Sequence, residues 1–167
     1  MQLTDAIEIR EFVENDHEGV RRVANEAHAF LRKFYIWKPG RNRAETDRPY
    51  VRLVATIGSI VVGTLTYETH KDHIYFGSLG VLSDYRHHGV ARSFVTYLES
   101  VAFSIGIFLI QCDTIEETGN VAIFEKLGFQ EFSRVISKDR SSPDGELVYI
   151  ISLQKWLSFT KSRSTAG

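Results

Sequence analysis

Between Tyr50 and Asp113 the hydrophobic period changes twice, and no other feature constrains the fold as tightly. Residues 50–57, 60–69 and 73–82 are short β-rich runs, broken at Gly58-Ser59 and Lys71-Asp72. Such close turns predict an antiparallel meander. From Gly89 onward the spacing becomes three and four: Val90, Phe94, Leu98, Val101 and Ile105 form one helical stripe that stops near Gly106. Residues 107–113 are then almost continuously apolar, the pattern of a strand covered on both faces. A meander, a helix and a doubly covered strand in succession require a mixed sheet with helices packed on it.

The rest of the chain fits that frame. Residues 7–13 alternate and predict a strand, and Asn15 or Asp16 can cap the helix that follows. Val20, Val23, Ala24, Ala27, Leu31 and Phe34 give that helix one apolar stripe, and Pro39-Gly40 stops it. Residues 39–50 read as a loop. A short helix is expected over 121–127, ended by Gly128, and two strands over 129–137 and 146–153, joined by the turn sequence Ser-Ser-Pro-Asp-Gly. The order β-α-βββ-α-β-α-ββ predicts one α/β (mixed α+β) domain over residues 1–157 and a polar tail over 158–167.

With 43% hydrophobic and 25% charged residues, a disordered chain is excluded. A net charge of −1 provides no global field for nucleic acid or an anionic membrane, and neither is expected as a partner. The single cysteine, Cys112, rules out an intramolecular disulfide framework, and no metal site is expected. The apolar run 101–110 is too short to span a bilayer and no signal peptide is evident, so the expected location is cytoplasmic.

The chemistry concentrates where the meander meets the helix. Arg86-His87-His88-Gly89-Val90-Ala91 opens the helix after the strand that ends near Val81. A first helical turn presents unpaired amides and a partial positive charge, and Gly89 and Ala91 leave room for an anion to approach them. Taken alone, the turn reads first as an ordinary helix start and only second as a general anion site. Val81-Leu82-Ser83-Asp84-Tyr85-Arg86-His87-His88-Gly89-Val90-Ala91 resembles the cofactor signature of the GNAT superfamily of acyl-coenzyme-A-dependent N-acetyltransferases. Phe124-Glu125-Lys126-Leu127-Gly128-Phe129 is similar to that family's Tyr-Glu-Lys-Leu-Gly-Phe. The resemblance covers residues 7 to about 153 and implies a central, mostly antiparallel sheet with helices on both faces.

It also implies a function: transfer of an acetyl group from acetyl-coenzyme A to a primary amine of a small molecule or peptide. Homodimers are frequent in the family. The pyrophosphate is expected on Arg86, His87, His88, Gly89, Val90 and Ala91, with Arg92 beside it. The pantetheine arm is expected along Leu79 and Val81. Asn120 either caps the last helix or bonds the pantetheine amide, and Phe124 lines the cofactor.

Four departures matter. The family's acid, a tyrosine, is Phe124 here, which has no proton to give; a slow enzyme, another donor, or a coenzyme-A-binding module without catalysis would each satisfy that. The glutamate that serves some histone-modifying members as base is replaced by Tyr75, a candidate base or pocket wall. His73, two residues earlier, is the second candidate. Tyr67 and Glu68 are further pocket candidates. Ser83 replaces the usual proline and is expected to loosen the turn. Finally, Arg32, Lys33, Lys38, Arg41, Arg43, Arg48 and Arg52 cluster around the first loop, which is either a solvated face or a steering surface for an anionic acceptor. Trp37 and Trp156 either flank a pocket or pack.

Overall fold

The computed structural model describes residues 6–41 and 48–158. In chain order they form β1 (Ile7–Glu11), α1 (His17–Leu31), β2 (Ile36–Trp37), β3 (Val51–Ile57), β4 (Ile60–Thr69) and β5 (Ile74–Val81). These are followed by α2 (Val90–Ile105), β6 (Leu109–Ile115), α3 (Asn120–Lys126), β7 (Gln130–Ser141) and β8 (Leu147–Trp156). The strands make one sheet in the order β1-β3-β4-β5-β6-β8-β7-β2. All neighbours are antiparallel except β5 and β6. This is the mixed, mostly antiparallel α/β fold expected from the alternation of periods. Apart from Ser158, the polar tail lies outside the described residues, and so does Arg43 in the first loop.

The core sits between one face of the sheet and α2 with α3. Phe76, Ile110 and Leu153 from the strands meet Phe94 and Leu98 from α2, all essentially solvent-free. Transfer of such side chains from water provides about 1.5–3 kcal/mol each and is what holds the helix stripe to the sheet. On the opposite face α1 lies directly on β4 and β5. A methyl group built at Gly80 would stand 3.0 Å from Val23 Cγ1, so the bare glycine is what permits that approach. Among the described residues, no helix is long and apolar enough to cross a membrane.

Two expectations about α1 need correction. Asp16 is the residue before the helix, but its carboxylate does not cap α1. It accepts the Val13 amide at 2.8 Å and both Arg10 Nη atoms at 2.7 and 2.9 Å. That hydrogen-bonded ion pair holds the Asp16 carboxyl below the usual carboxylate range. The helix also ends at Leu31, well before Pro39-Gly40. The chain turns there, and Ile36 and Trp37 pair with Ser141 and Arg140 on the outer edge of β7. An unpaired strand edge offers ladder bonds to a β-branched residue and an aromatic, and these outweigh continuation of a helix.

Candidate active site

The site begins as a defect in the sheet. β5 and β6 pair in parallel only at Ile74–Ile110, Tyr75–Gln111 and Phe76–Cys112, and beyond these they diverge. On its other side β5 is bulged. Its register with β4 slips between Thr64–Gly80 and Thr66–Gly77, and Ser78 adopts φ +52°. A bulge adds twist and bends a strand away from its neighbour. Among the described residues no strand pairs the β6-facing edge of β5 past Phe76. The outcome is a wedge-shaped opening whose β5 wall carries Leu79 and Val81, both half-buried against the core.

At the wide end of the wedge stands the turn into α2. His87 at φ +63° and Gly89 at φ +86°, ψ 13° fold the backbone so that α2 starts abruptly at Val90. The first ladder bond runs from Ser93 N–H to Gly89 O at 2.9 Å, which leaves the amides of the first turn without helical partners. Nothing lies within 4 Å of a methyl group built at Gly89, so the space over these amides is open. Val90 contributes only backbone here, since its side chain is buried against Gly63 on β4. His87, His88 and Arg92 are exposed, and His88 Nδ1 is 2.7 Å from Arg86 O. The residues thus fit an extended anion followed by an arm laid along β5.

Arg86 is placed differently from its neighbours. Its Nε donates to Val81 O at 3.2 Å and its guanidinium lies over the Phe30 ring, 5.1 Å from the centroid. The side chain therefore ties the turn to the end of α1, and only the backbone faces the opening. Ser83 does not loosen the turn as expected. Its N–H, which proline would lack, donates to Glu26 Oε1 of α1 at 2.5 Å. Hydrogen bonding from Ser83, with the charges of Arg86 and Arg22 nearby, holds the Glu26 carboxyl below its ordinary range.

Below the opening, Phe124 is buried edge-on between Phe76 and Phe129, with ring centroids 5.9 Å from each. It floors the wedge without a polar atom. Asn120 is the first residue of α3 and not its cap; Gly119 precedes it, and Thr118 Oγ1 accepts the Asn120 amide at 3.3 Å. Its half-buried carboxamide has no hydrogen-bond partner among the described residues. Cys112 is buried, and desolvation pushes its thiol far above the range in which it could ionise.

On the α1 side of the sheet, Tyr75 donates to Asp113 Oδ2 at 3.1 Å, and Ser152 of β8 donates to Asp113 Oδ1 at 2.6 Å. Asp113 follows Cys112, so it is the first β6 residue of the diverging part. Sequence reasoning missed it, although the one acid in β6 was the available signal. Tyr75 is thus at the foot of the wedge, but His73 is not. It precedes β5 in the hairpin turn, three residues and about 10 Å below Phe76. There it bonds Asp72 at 2.7 Å and stacks on His70 at 4.4 Å, while His70 meets Glu68 at 3.2 Å and Arg48 at 3.1 Å. Glu68 belongs to that turn cluster, and Tyr67 is buried in the core on the opposite face. The basic residues around the first loop that are described do not converge either: Arg41 faces Asp139 and Arg52 lies over Phe12 and Tyr50. Trp156 is exposed at the end of β8, and Trp37 packs on Arg140. Among the described residues no cluster could hold a metal ion.

Comparison with known proteins places this geometry. A model of the acetyltransferase (GNAT) family matches residues 8–129. The chain belongs to the GNAT acetyltransferase family. It is therefore an acyltransferase, and its co-substrate is acetyl-coenzyme A. By sequence, no curated protein matches. By fold, this acetyltransferase is similar to a GCN5-related N-acetyltransferase from Kribbella flavida, with TM-score 0.69, 18% identity, and coverage of 91% of this chain and 98% of that one. It is similar to the ribosomal-protein-S18-alanine N-acetyltransferase of Escherichia coli, with TM-score 0.68, 14% identity, and coverage of 95% and 98%. It also resembles yncA of Salmonella typhimurium, solved with its cofactor acetyl-CoA, with TM-score 0.67, 16% identity, and coverage of 96% and 99%.

Proposed function

We propose that this chain, as one domain over residues 1–157, transfers an acetyl group to a primary amine by direct attack within the β5–β6 wedge. The observation that carries the reading is the three-pair contact between β5 and β6, which opens directly beneath the amide-lined turn at Gly89. The turn amides from Arg86 to Arg92 hold the pyrophosphate, and the unpaired edge at Leu79 and Val81 takes the pantetheine arm as an added strand. Acetyl-coenzyme A, when bound, supplies a thioester activated toward amines.

Asp113 and Tyr75 receive the amine from the α1 side. The carboxylate orients the incoming nitrogen and takes its proton, directly or through one water, while Tyr75 and Ser152 fix the carboxylate in place. Phe124 gives no proton to the departing thiolate, so that proton comes from water at the mouth of the wedge. A base without a partner acid makes a slow enzyme, because a positioned acid typically contributes about 10²–10⁴ in rate. The same apolar floor favours a second reading, a coenzyme-A-binding module without turnover.

Titration with acetyl-coenzyme A, with ATP and NADH as controls, tests the site; selective binding is expected. Thiol release with a panel of amines then separates enzyme from module. Asp113→Asn is expected to lower kcat about a hundredfold while leaving acetyl-coenzyme A binding intact. Binding without thiol release for any amine would establish the module, and failure to bind would sink both readings.

A further inference from the structure

The segment that leaves α1 crosses the wide end of the wedge. Phe30 sits on Arg86 at the end of β5, and seven residues later Trp37 sits on Arg140 at the edge of β7. Between those points lie the opening, β6 and β8. At the far end of this bridge, Arg140 is held in an unusual way. Its guanidinium is 4.4 Å from the Trp37 ring centroid and 5.5 Å from that of Tyr35. Its Nε is fully buried and has no hydrogen-bond partner among the described residues. Among the described residues no carboxylate pairs with it there either, since the adjacent Asp139 faces Arg41 at 3.8 Å. Lys38, whose amide donates to Asp139 O at 2.8 Å, and Lys138 add positive charge to the same edge.

A guanidinium fixed between two rings has already lost its rotamer freedom, and its rigid fork matches a planar oxyanion. Arg140 as a whole is only half-buried, so the rest of the fork, unlike the enclosed Nε, is open to an acceptor. Arg92 is open to water, and the remaining charged groups beside the opening are satisfied: Arg86 by Val81 O, Glu26 by Ser83, and Asp113 by Tyr75 and Ser152. Arg140 is the exception.

Resting on the acetyltransfer reading above, we propose that Arg140, held by Tyr35 and Trp37, binds an oxyanion at the far end of the amine acceptor. Register gives the span. Asp113 pairs with Ser152 and Ser141 with Leu147, so Arg140, one residue short of Ser141, stands about four residues beyond Asp113 along the strands. It is also two strands away across the sheet, and the two offsets combine to roughly 16 Å. That distance excludes the α-carboxylate of a free amino acid as the bound group. It corresponds to about four to five extended residues between amine and carboxylate. The acceptor class is therefore an extended amine with a carboxylate or phosphate at its other end.

Oligoglycines of two to six residues, each as free acid and as C-terminal amide, provide the test by thiol release. In the unaltered protein the KM of the free acid is expected to be at least tenfold below that of the amide, with the largest ratio near four residues. Arg140→Gln is expected to abolish the ratio while leaving acetyl-coenzyme A affinity and kcat with the amides unchanged, and Arg140→Lys to retain part of it. Independently of turnover, Trp37 fluorescence in a Trp156→Phe background should respond to tetraglycine and not to its amide. Equal KM values in the unaltered protein, or a ratio that survives Arg140→Gln, would overturn the proposal. If no amine is acetylated, the transfer reading has failed, and the fluorescence titration still decides the anion site. An Arg140→Gln chain that does not fold leaves the acid-to-amide ratio in the unaltered protein as the deciding result.

Discussion

The Glu26–Ser83 hydrogen bond makes a quantitative prediction, because one partner can be removed by a substitution that the backbone already accommodates. Leu82 has φ −55° and ψ 138°, which suits a residue preceding proline, and Ser83 is the first residue of a 3-10 turn, where proline is tolerated. Glu26→Ala removes the acceptor and Ser83→Pro the donor. A hydrogen bond to a charged group contributes about 1.5–3 kcal/mol, and partial exposure here reduces that to about 1 kcal/mol. For a chain of this size each kcal/mol shifts Tm by about 2–4 °C. Glu26→Ala alone should therefore lower Tm by that amount. Ser83→Pro loses the same bond but regains about 0.4–1 kcal/mol from a stiffer unfolded chain, and should be close to neutral. In the Ser83→Pro background Glu26→Ala should cost nothing, a coupling of about 1 kcal/mol by urea unfolding at neutral pH. The Glu26 carboxyl is held below its unfolded value of 4.5, so the bond contributes fully above that pH. It is lost as pH falls through the lower folded value, and the coupling should vanish with it. An equal cost of Glu26→Ala in both backgrounds would refute the reasoning.

Gly89→Ala meets no neighbouring atom but forces a side chain to φ +86°, so about 1–2 kcal/mol of backbone strain is expected. Tm should fall by about 2–8 °C and coenzyme A affinity at least tenfold, with Gly89→Asn milder in Tm. Phe124→Ala should cost about 3–5 kcal/mol by differential scanning calorimetry, because it opens a hole between Phe76 and Phe129. Phe124→Tyr should raise kcat and give the pH–rate profile an alkaline descending limb; an unchanged profile would show that water already meets the need for an acid. Asp16→Ala should destabilise by about 1.5–3 kcal/mol through loss of the Arg10 pair and the Val13 bond. Because the Asp16 carboxyl is depressed below 3.8, this contribution is complete above that pH and disappears in stronger acid, as an acid-unfolding series would record.

Features written in periodicity were legible before the structure. The three meander strands, the stripe from Val90 to Ile105 and the turn at Gly89 lie within one or two residues of expectation, because each is set by local spacing and by glycine at positive φ. Features that depend on distant register were not. β2 exists because the edge of β7 needs a partner, and nothing within Ile36-Trp37 states that. Asp113 gains its meaning from Tyr75, brought beside it by the parallel register of β5 on β6, and from Ser152, brought there by the antiparallel register of β8. Counting along one strand placed His73 near the chemistry, but the strand begins at Ile74 and the histidine belongs to the turn. Ser83 looked like a missing proline because Glu26, its partner, is 57 positions earlier in the chain.

The short contact between β5 and β6 also has a mechanical meaning. It divides the sheet into two four-stranded halves, β1-β3-β4-β5 and β6-β8-β7-β2, stitched by three residue pairs where other neighbouring strands share up to seven. Apart from side-chain packing, three connections cross the seam: α2, which contacts both β5 and β6, the bridge from α1 to β2, and the return from β2 to β3. Hydrogen exchange should therefore resolve two blocks with separate opening energies, and amides at Tyr75 and Phe76 should exchange with the weaker block. A ligand laid into the wedge would act as the missing length of seam, making the two halves open as one.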